Sequence, residues 1–255
     1  MITRLRREQE FHDHQALERA SFFDRRPEQL AFADDDYLAH ETWIRPAFDA
    51  LGDVAGRTVL DCGCGHGMAS VVLARRGARV IGCDLSSGYL TEARRRGEAN
   101  GVRVAWLKAD AERLPFADGA FDRIWGNAIL HHLDMDMAGA ELRRLLKPGG
   151  RAVFCEPWGE NPLLRLARAR LPYPGKERTV DEQPLRGADL AVLRRYFPSL
   201  EWTGYQLLGM AGRLLRTPSV TRRLERVDRG LLRRFPSLQR FCRYVVLVLE
   251  RSPSA

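Results

Sequence analysis

The sequence predicts an α/β protein built on a mostly parallel sheet, and three observations carry that expectation. From Arg57 onward, short apolar runs alternate with helical stretches; each run stops at a polar or glycine-rich turn; and 45% of the 255 residues are hydrophobic, enough to fill a core. Strands followed by helices at this rhythm argue for βαβ units. The length fits one large domain, or one domain with an elaborated cap.

Taken in order, residues 3–23 and 34–51 read as helices that precede the main pattern. The second opens on Asp34, Asp35 and Asp36, acids suited to the positive end of a helix dipole. RTVLDC, ARVIGCD, VRVAWLKA, FDRIWGNA and RAVFCEP then read as strands, with MASVVLARRG, LSSGYLTEARRRGEA and MAGAELRRLL as the helices between them. The KPGG turn at 147–150 restarts a strand after a helix, as proline and glycine should. Beyond Glu156 the character changes. Five prolines (157, 162, 172, 174 and 184) surround one short basic helix, LLRLARARL, which suggests an inserted lid. Strands near 200–208 and 243–249, separated by a helix over 219–234, complete the pattern.

Composition narrows the function classes. The longest strongly apolar run, Tyr244 to Leu249, is far short of the roughly 20 residues of a spanning helix. The start, MITRLRREQEFHDHQ, is too charged for a secretory signal, so a soluble, cytoplasmic protein is expected. Five cysteines without paired CxxC spacing suggest reduced thiols, and neither a disulfide framework nor a metal site is expected. The net charge is +8, but only three of the 41 basic residues are lysine, and the arginines are scattered, which looks like a composition bias. The charge is nevertheless uneven: residues 1–160 carry 22 basic and 25 acidic side chains, whereas 161–255 carry 19 and 8, a net +11. Such asymmetry speaks to anionic partners.

The segment with chemical content is VLDCGCGHG, Val59 to Gly67. An apolar strand ends in Asp61, and Gly63, Gly65 and Gly67 let the chain turn sharply and bring backbone amides close to a ligand. A dinucleotide fingerprint would place its third glycine where Met68 stands, so that pattern fails by one residue. The second strand ends at Asp84, where a carboxylate can accept from two ribose hydroxyls; a plain surface acid is the alternative. The third ends in Lys108-Ala109-Asp110-Ala111, where an acid could accept from an adenine amino group or be a loop residue only. Ligand-like residues at successive strand ends fit the rule that open α/β sheets bind ligands at the carboxyl ends of their strands.

VLDCGCGHG, GCD, KADAERLPFADGAFDRIW, LHHL and LKPGG, in this order between Thr58 and Pro157, resemble the class I S-adenosylmethionine-dependent methyltransferases, specifically the small-molecule branch that includes quinone C-methyltransferases. The resemblance implies a Rossmann-like seven-stranded sheet, mostly parallel with its last strand antiparallel. It implies S-adenosyl-L-methionine as cofactor, with Asp61 and the Gly63–Gly67 loop holding the methionine part and Asp84 the ribose. Leu85 would pack on adenine, Asp110 and Ala111 would read its edge, and Asn127 would lie beside the sulfonium; Cys62 and Cys64 receive no role. A single domain follows: an N-terminal helical lid over 1–55, a cofactor-binding core over 56–157, a lid insertion over 158–198, and C-terminal strands and a helix over 199–255. A sulfonium methyl is already a good electrophile, so alignment of the nucleophile is the main demand, and it can contribute up to ~7–11 kcal/mol. Where the acceptor must lose a proton, His131 and His132 are the candidate bases. Capping or packing under the next helix is their structural alternative.

Other acceptor classes leave traces that are missing here. Gly126-Asn127-Ala128-Ile129 stands where a base-amino methyltransferase would show an Asn/Asp-Pro-Pro-aromatic motif, and no Pro-Cys pair exists for cytosine C5 chemistry. Asp134 and Asp136 read as helix-start residues and not as a metal cluster; Tyr173 and Lys176 have the wrong spacing for a short-chain dehydrogenase. A small aromatic or lipophilic acceptor, methylated on O, N or C, is expected. Phe11, Phe22, Phe23, Tyr37, His40 and Trp43, with Trp158, Tyr173, Trp202 and Tyr205, supply aromatics for the core or for its pocket. Mixed arginine and leucine in the basic third fit an acidic carrier protein or a membrane surface. Nucleic acid has the charge but no reading motif, oligomeric state is left open, and a protein that binds the cofactor without transferring methyl is the rival reading.

Overall fold

A computed structural model describes residues 4–170, 183–211 and 218–253, without the side chains of residues 168, 169, 218, 219 and 222. Tyr173, Lys176 and much of the proline-rich lid lie outside the described residues. The apolar runs form seven strands of one sheet: β1 (Thr58–Cys62), β2 (Arg79–Asp84), β3 (Ala105–Lys108), β4 (Phe121–Asn127), β5 (Leu146–Pro157), β6 (Glu201–Tyr205) and β7 (Tyr244–Glu250). Their order is β3-β2-β1-β4-β5-β7-β6. β1 pairs in parallel with β2 and β4, β2 with β3, and β4 with β5, while β7 runs antiparallel between β5 and β6. This is the Rossmann-like, mostly parallel sheet expected.

Strand side chains alternate between two buried clusters, one on each face. Leu60, Ile124, Ala152, Phe154 and Leu247 join one; Val59, Trp125, Val153, Cys155 and Val246 join the other. Helices cover both faces, as parallel strands buried on two sides require. In chain order they are α1 (Arg4–Arg25), α2 (Asp34–Leu38), α3 (Ile44–Leu51), α4 (Met68–Arg75), α5 (Ser87–Ala99), α6 (Met135–Leu145), α7 (Pro162–Arg170), α8 (Gly187–Tyr196) and α9 (Pro218–Arg234). Ser86 caps α5 by accepting from the Tyr89 amide at 3.1 Å. Asp134 caps α6 by accepting from the amides of Asp136 and Met137, the helix-start role read from the sequence.

Two elements differ from expectation. The single helix over 34–51 is two short ones, because Pro46 lacks an amide to donate and is tolerated only in the first turn, so α3 starts afresh at Ile44. Within the stretch expected as lid, α8 packs on α6 and buries Leu190 and Leu193, with Phe197 just beyond its end, in the core. Residues 187–197 are therefore part of the core.

Candidate active site

The strand order reverses direction between β1 and β4, so a crevice opens at the carboxyl ends of these strands. The loop after β1 is shaped for it. Gly63 has φ +65°, and a Cβ there would stand 2.7 Å from the Ile129 side chain. Gly65 has φ +50° with nothing within 4 Å of a would-be Cβ, so its backbone borders open space. Gly67 sits behind the loop, where a Cβ would meet Ala93 at 2.8 Å; its place is a packing contact under α5. The Cys64 amide donates to the Cys83 carbonyl at 2.8 Å, which ties the loop to the end of β2.

Asp84, at that end, accepts from the Gly65 amide through Oδ2 and from the Ser86 amide through Oδ1, both at 2.8 Å. Burial pushes its carboxyl upward, with the two amides opposing. A cavity of about 310 Å³ opens beside it, bordered by Gly63, Gly65, Asp84, Leu85, Ala111 and Asn127, all singled out in the sequence. An adjoining cavity of about 120 Å³ shares Gly63, Gly65 and Asn127 and is closed by Asp61, Tyr37 and Trp125. Asp61 accepts from the Ser70 hydroxyl at 2.5 Å, and burial raises its pKa to about 7. Asp110 borders neither cavity; its carboxylate accepts from the Glu112 amide at 2.9 Å.

The turn after β4 is strained and held. Ala128 takes φ +58° while its amide donates to the Cys155 carbonyl at 2.8 Å. Fully buried Glu156 accepts from the amides of Ile129 and Leu130 at 3.0 and 2.8 Å and meets Nδ1 of His131 at 2.7 Å. His131 is thereby turned toward a separate cavity of about 290 Å³ beside Met135 and Leu185. His132 faces the 310 Å³ cavity instead. The two histidines of the LHHL motif thus point to different places.

Helix α1 closes that cavity and brings residues that sequence reasoning missed. Asp13 accepts from the Ser86 hydroxyl at 2.5 Å, Tyr89 donates its hydroxyl to Gln15 at 2.9 Å, and Arg19 binds Glu92 through two nitrogens at 2.9 and 2.7 Å. This polar seam along α5 places Glu8 and His12 over the cavity, with Glu8 Oε2 at 3.1 Å from Nδ1 of His132 and 3.7 Å from Nε2 of His12. Burial lowers the pKa of His12, and the neighbouring His132 adds to the effect. His66, within the glycine loop, also borders the cavity, and burial lowers its pKa to about 4. The signal available for Glu8 and His12 was their four-residue spacing on one helical face. Nothing in the sequence paired them with His132.

The strand order, with helices on both faces of the sheet, is that of a Rossmann-like α/β fold. Residues 60–154 match the family model described as a methyltransferase domain. The chain is similar to a demethylmenaquinone methyltransferase from Thermobifida fusca, 44% identical over 116 residues that make up 45% of this chain and 49% of that one. It is also similar to a 2-phytyl-1,4-naphtoquinone methyltransferase from Thermosynechococcus vestitus, 36% identical over 54% of this chain and 60% of that one. The chain spans about half the length of the curated relatives it matches. Among solved structures, a geranyl diphosphate C-methyltransferase from Streptomyces coelicolor superposes with TM-score 0.57 at 20% identity, covering 81% of this chain and 77% of that one, a likeness of fold. No described helix is long and apolar enough to cross a membrane.

Proposed function

We propose that this chain is an S-adenosylmethionine-dependent methyltransferase acting on a small, lipophilic acceptor in the cytoplasm. The observation that carries the reading is convergence: the ends of β1, β2 and β4 and the loop after β3 border one cavity, with Asp84 at its side and the open Gly65 backbone next to it. The residues fit the cofactor. Gly65 leaves room for close approach, and the Asp84 carboxylate, with two lone-pair sites taken by amides, retains others for ribose hydroxyls. When bound, the cofactor supplies an electrophilic methyl group.

In this reading Asp61 and Gly63 hold the amino-acid part, Leu85 and Ala111 flank the base, and Asn127 lies toward the reacting end. Gly67 and Asp110 act from behind, by shaping the loops. The smaller cavity, with an acid of pKa about 7, suits a charged amino group that would draw Asp61 into its ionised form. His132, with Glu8 and His12, stands at the acceptor end and activates the acceptor; His131 orients the turn through Glu156. The quinone methyltransferases among the relatives support a lipophilic acceptor.

Transfer of labelled methyl from S-adenosylmethionine to a panel of quinols, phenols and prenylated acceptors tests this. Turnover on at least one is expected, with His132→Ala losing ~10²-fold or more while binding cofactor as the parent does. Cofactor binding without turnover on any acceptor would instead favour a protein that uses the fold for another purpose.

A finer reading concerns the basic third. Helix α7 exposes Leu163 and Leu166 beside Arg165 and Arg170, and Val227 and Phe235 are exposed among the arginines of α9 and its end. Apolar residues among arginines suit an anionic membrane surface presenting the acceptor. Co-sedimentation with anionic vesicles, lost with neutral ones, is expected. An acidic carrier protein or nucleic acid binding in place of vesicles would displace that reading.

A further inference from the structure

We propose that Glu8, His12 and His132 form a binding site for one divalent transition-metal ion of the zinc type, at the acceptor end of the cavity. These are two imidazoles and one carboxylate, the donor set that suits such ions in sites with an open coordination position. Glu8 and His12 lie one helical turn apart on α1, and His132 arrives from the turn after β4, more than a hundred residues away in the chain. One ligand atom from each lies within 4.8 Å of the others. Two of the separations are 3.1 and 3.7 Å, and a tetrahedral ion with bonds of ~2.0–2.2 Å holds its ligands about 3.4 Å apart.

The local chemistry favours an ion over an ordinary ion pair. Nδ1 of His132 is buried and makes no hydrogen bond of good geometry, although the Glu8 carboxylate is 3.1 Å away. The Glu8 side chain is 7% exposed and that of His132 13%, which places a carboxylate and an imidazole in shared low-dielectric surroundings. All three residues border the 310 Å³ cavity, so the remaining coordination position faces the space where an acceptor would enter. An acceptor bearing a hydroxyl or phenolate oxygen is the chemical class that would use it. That last assignment rests on the methyl-transfer reading; the metal site itself does not.

The experiment uses the full chain, stripped with a chelator and titrated with Zn²⁺ against a chromophoric competitor, and separately with Co²⁺ followed by visible absorption. One saturable equivalent is expected, with Co²⁺ bands of a low-symmetry, four- or five-coordinate site. Glu8→Gln, His12→Ala and His132→Ala should each weaken Zn²⁺ at least tenfold, while exposed His40→Ala leaves it unchanged. His12→Cys, which retains a ligating atom, should keep binding and add a sulfur-to-cobalt charge-transfer band, which separates ligation from mere seating of α1. Absence of a saturable equivalent overturns the proposal, and so do three variants that bind like the parent. Calorimetry with S-adenosylmethionine on the same samples keeps the two readings apart: metal failure with intact cofactor binding sinks only the metal site.

Discussion

Asp61 and Asp84 lie at the carboxyl ends of neighbouring strands and border adjoining cavities, yet their surroundings differ. Asp84 accepts from two backbone amides, whereas Asp61 accepts from the hydroxyl and the amide of Ser70 and is buried. With its folded pKa raised to about 7 from 3.8, Asp61 contributes stability that is fully present below the unfolded value and lost as pH rises through 7. The loss by pH 8 is of the order of 4 kcal/mol if nothing else responds. Asp61→Asn removes that dependence while keeping an acceptor for Ser70. The ligand-free variant should melt several degrees above the parent at pH 8 and close to it at pH 4. An equal melting difference at both pH values in differential scanning calorimetry would contradict the assignment. The buried acid lowers the stability of the ligand-free protein, a cost consistent with a role in binding.

At the scale of elements, the loop after β1 and the turn after β4 lean on each other. Gly63→Ala sets a methyl group against Ile129 in a left-handed backbone, whereas Gly65→Ala meets no neighbour. Gly63→Ala should therefore cost ~2–4 kcal/mol in urea denaturation and Gly65→Ala only the ~1–2 kcal/mol of backbone strain, while both weaken cofactor binding. Equal costs would show that the turn yields freely. Glu156→Ala leaves one buried and one partly buried amide unpaired, each worth ~1–3 kcal/mol, and a total loss of ~2–6 kcal/mol is expected by the same method. A loss below ~1 kcal/mol would mean that water or a rearranged turn replaces the carboxylate. These elements also show what a sequence conveys. The strands were legible because their apolar residues come in short runs closed by turn residues, and the place of Gly63, Gly65 and Asp84 beside the crevice because they follow or close strands of a parallel sheet. The Glu156 role was not legible, since its partners Ile129 to His131 are some 26 residues away and give no periodic signal. The break between α2 and α3 was hidden because Pro46 is compatible with a helix start as well as with a helix end.

At the scale of the whole molecule, the sheet supplies a rigid floor and α1 a roof fastened to α5 mainly by polar side chains. The seam of α1 against α5 is built of ion pairs and hydrogen bonds from Asp13 to Asp24, with few buried apolar residues on α1 itself. Helices held this way sit at the low-stability end of a structure, where opening to admit a ligand costs least. This roof was invisible in the sequence as a site element: α1 was expected as a lid, but the convergence of Glu8 and His12 on His132 depends on the three-dimensional docking angle. The central claim, that the crevice at the ends of β1, β2 and β4 binds S-adenosylmethionine through Asp84, has a direct measurement. Isothermal titration of the parent and Asp84→Ala with S-adenosylmethionine, S-adenosylhomocysteine and NAD should show one-to-one binding of the first two and none of the third. Losing charged hydrogen bonds worth ~1.5–3 kcal/mol, the variant should bind at least tenfold more weakly. Unchanged affinity in Asp84→Ala, or tight binding of NAD by the parent, would contradict the account.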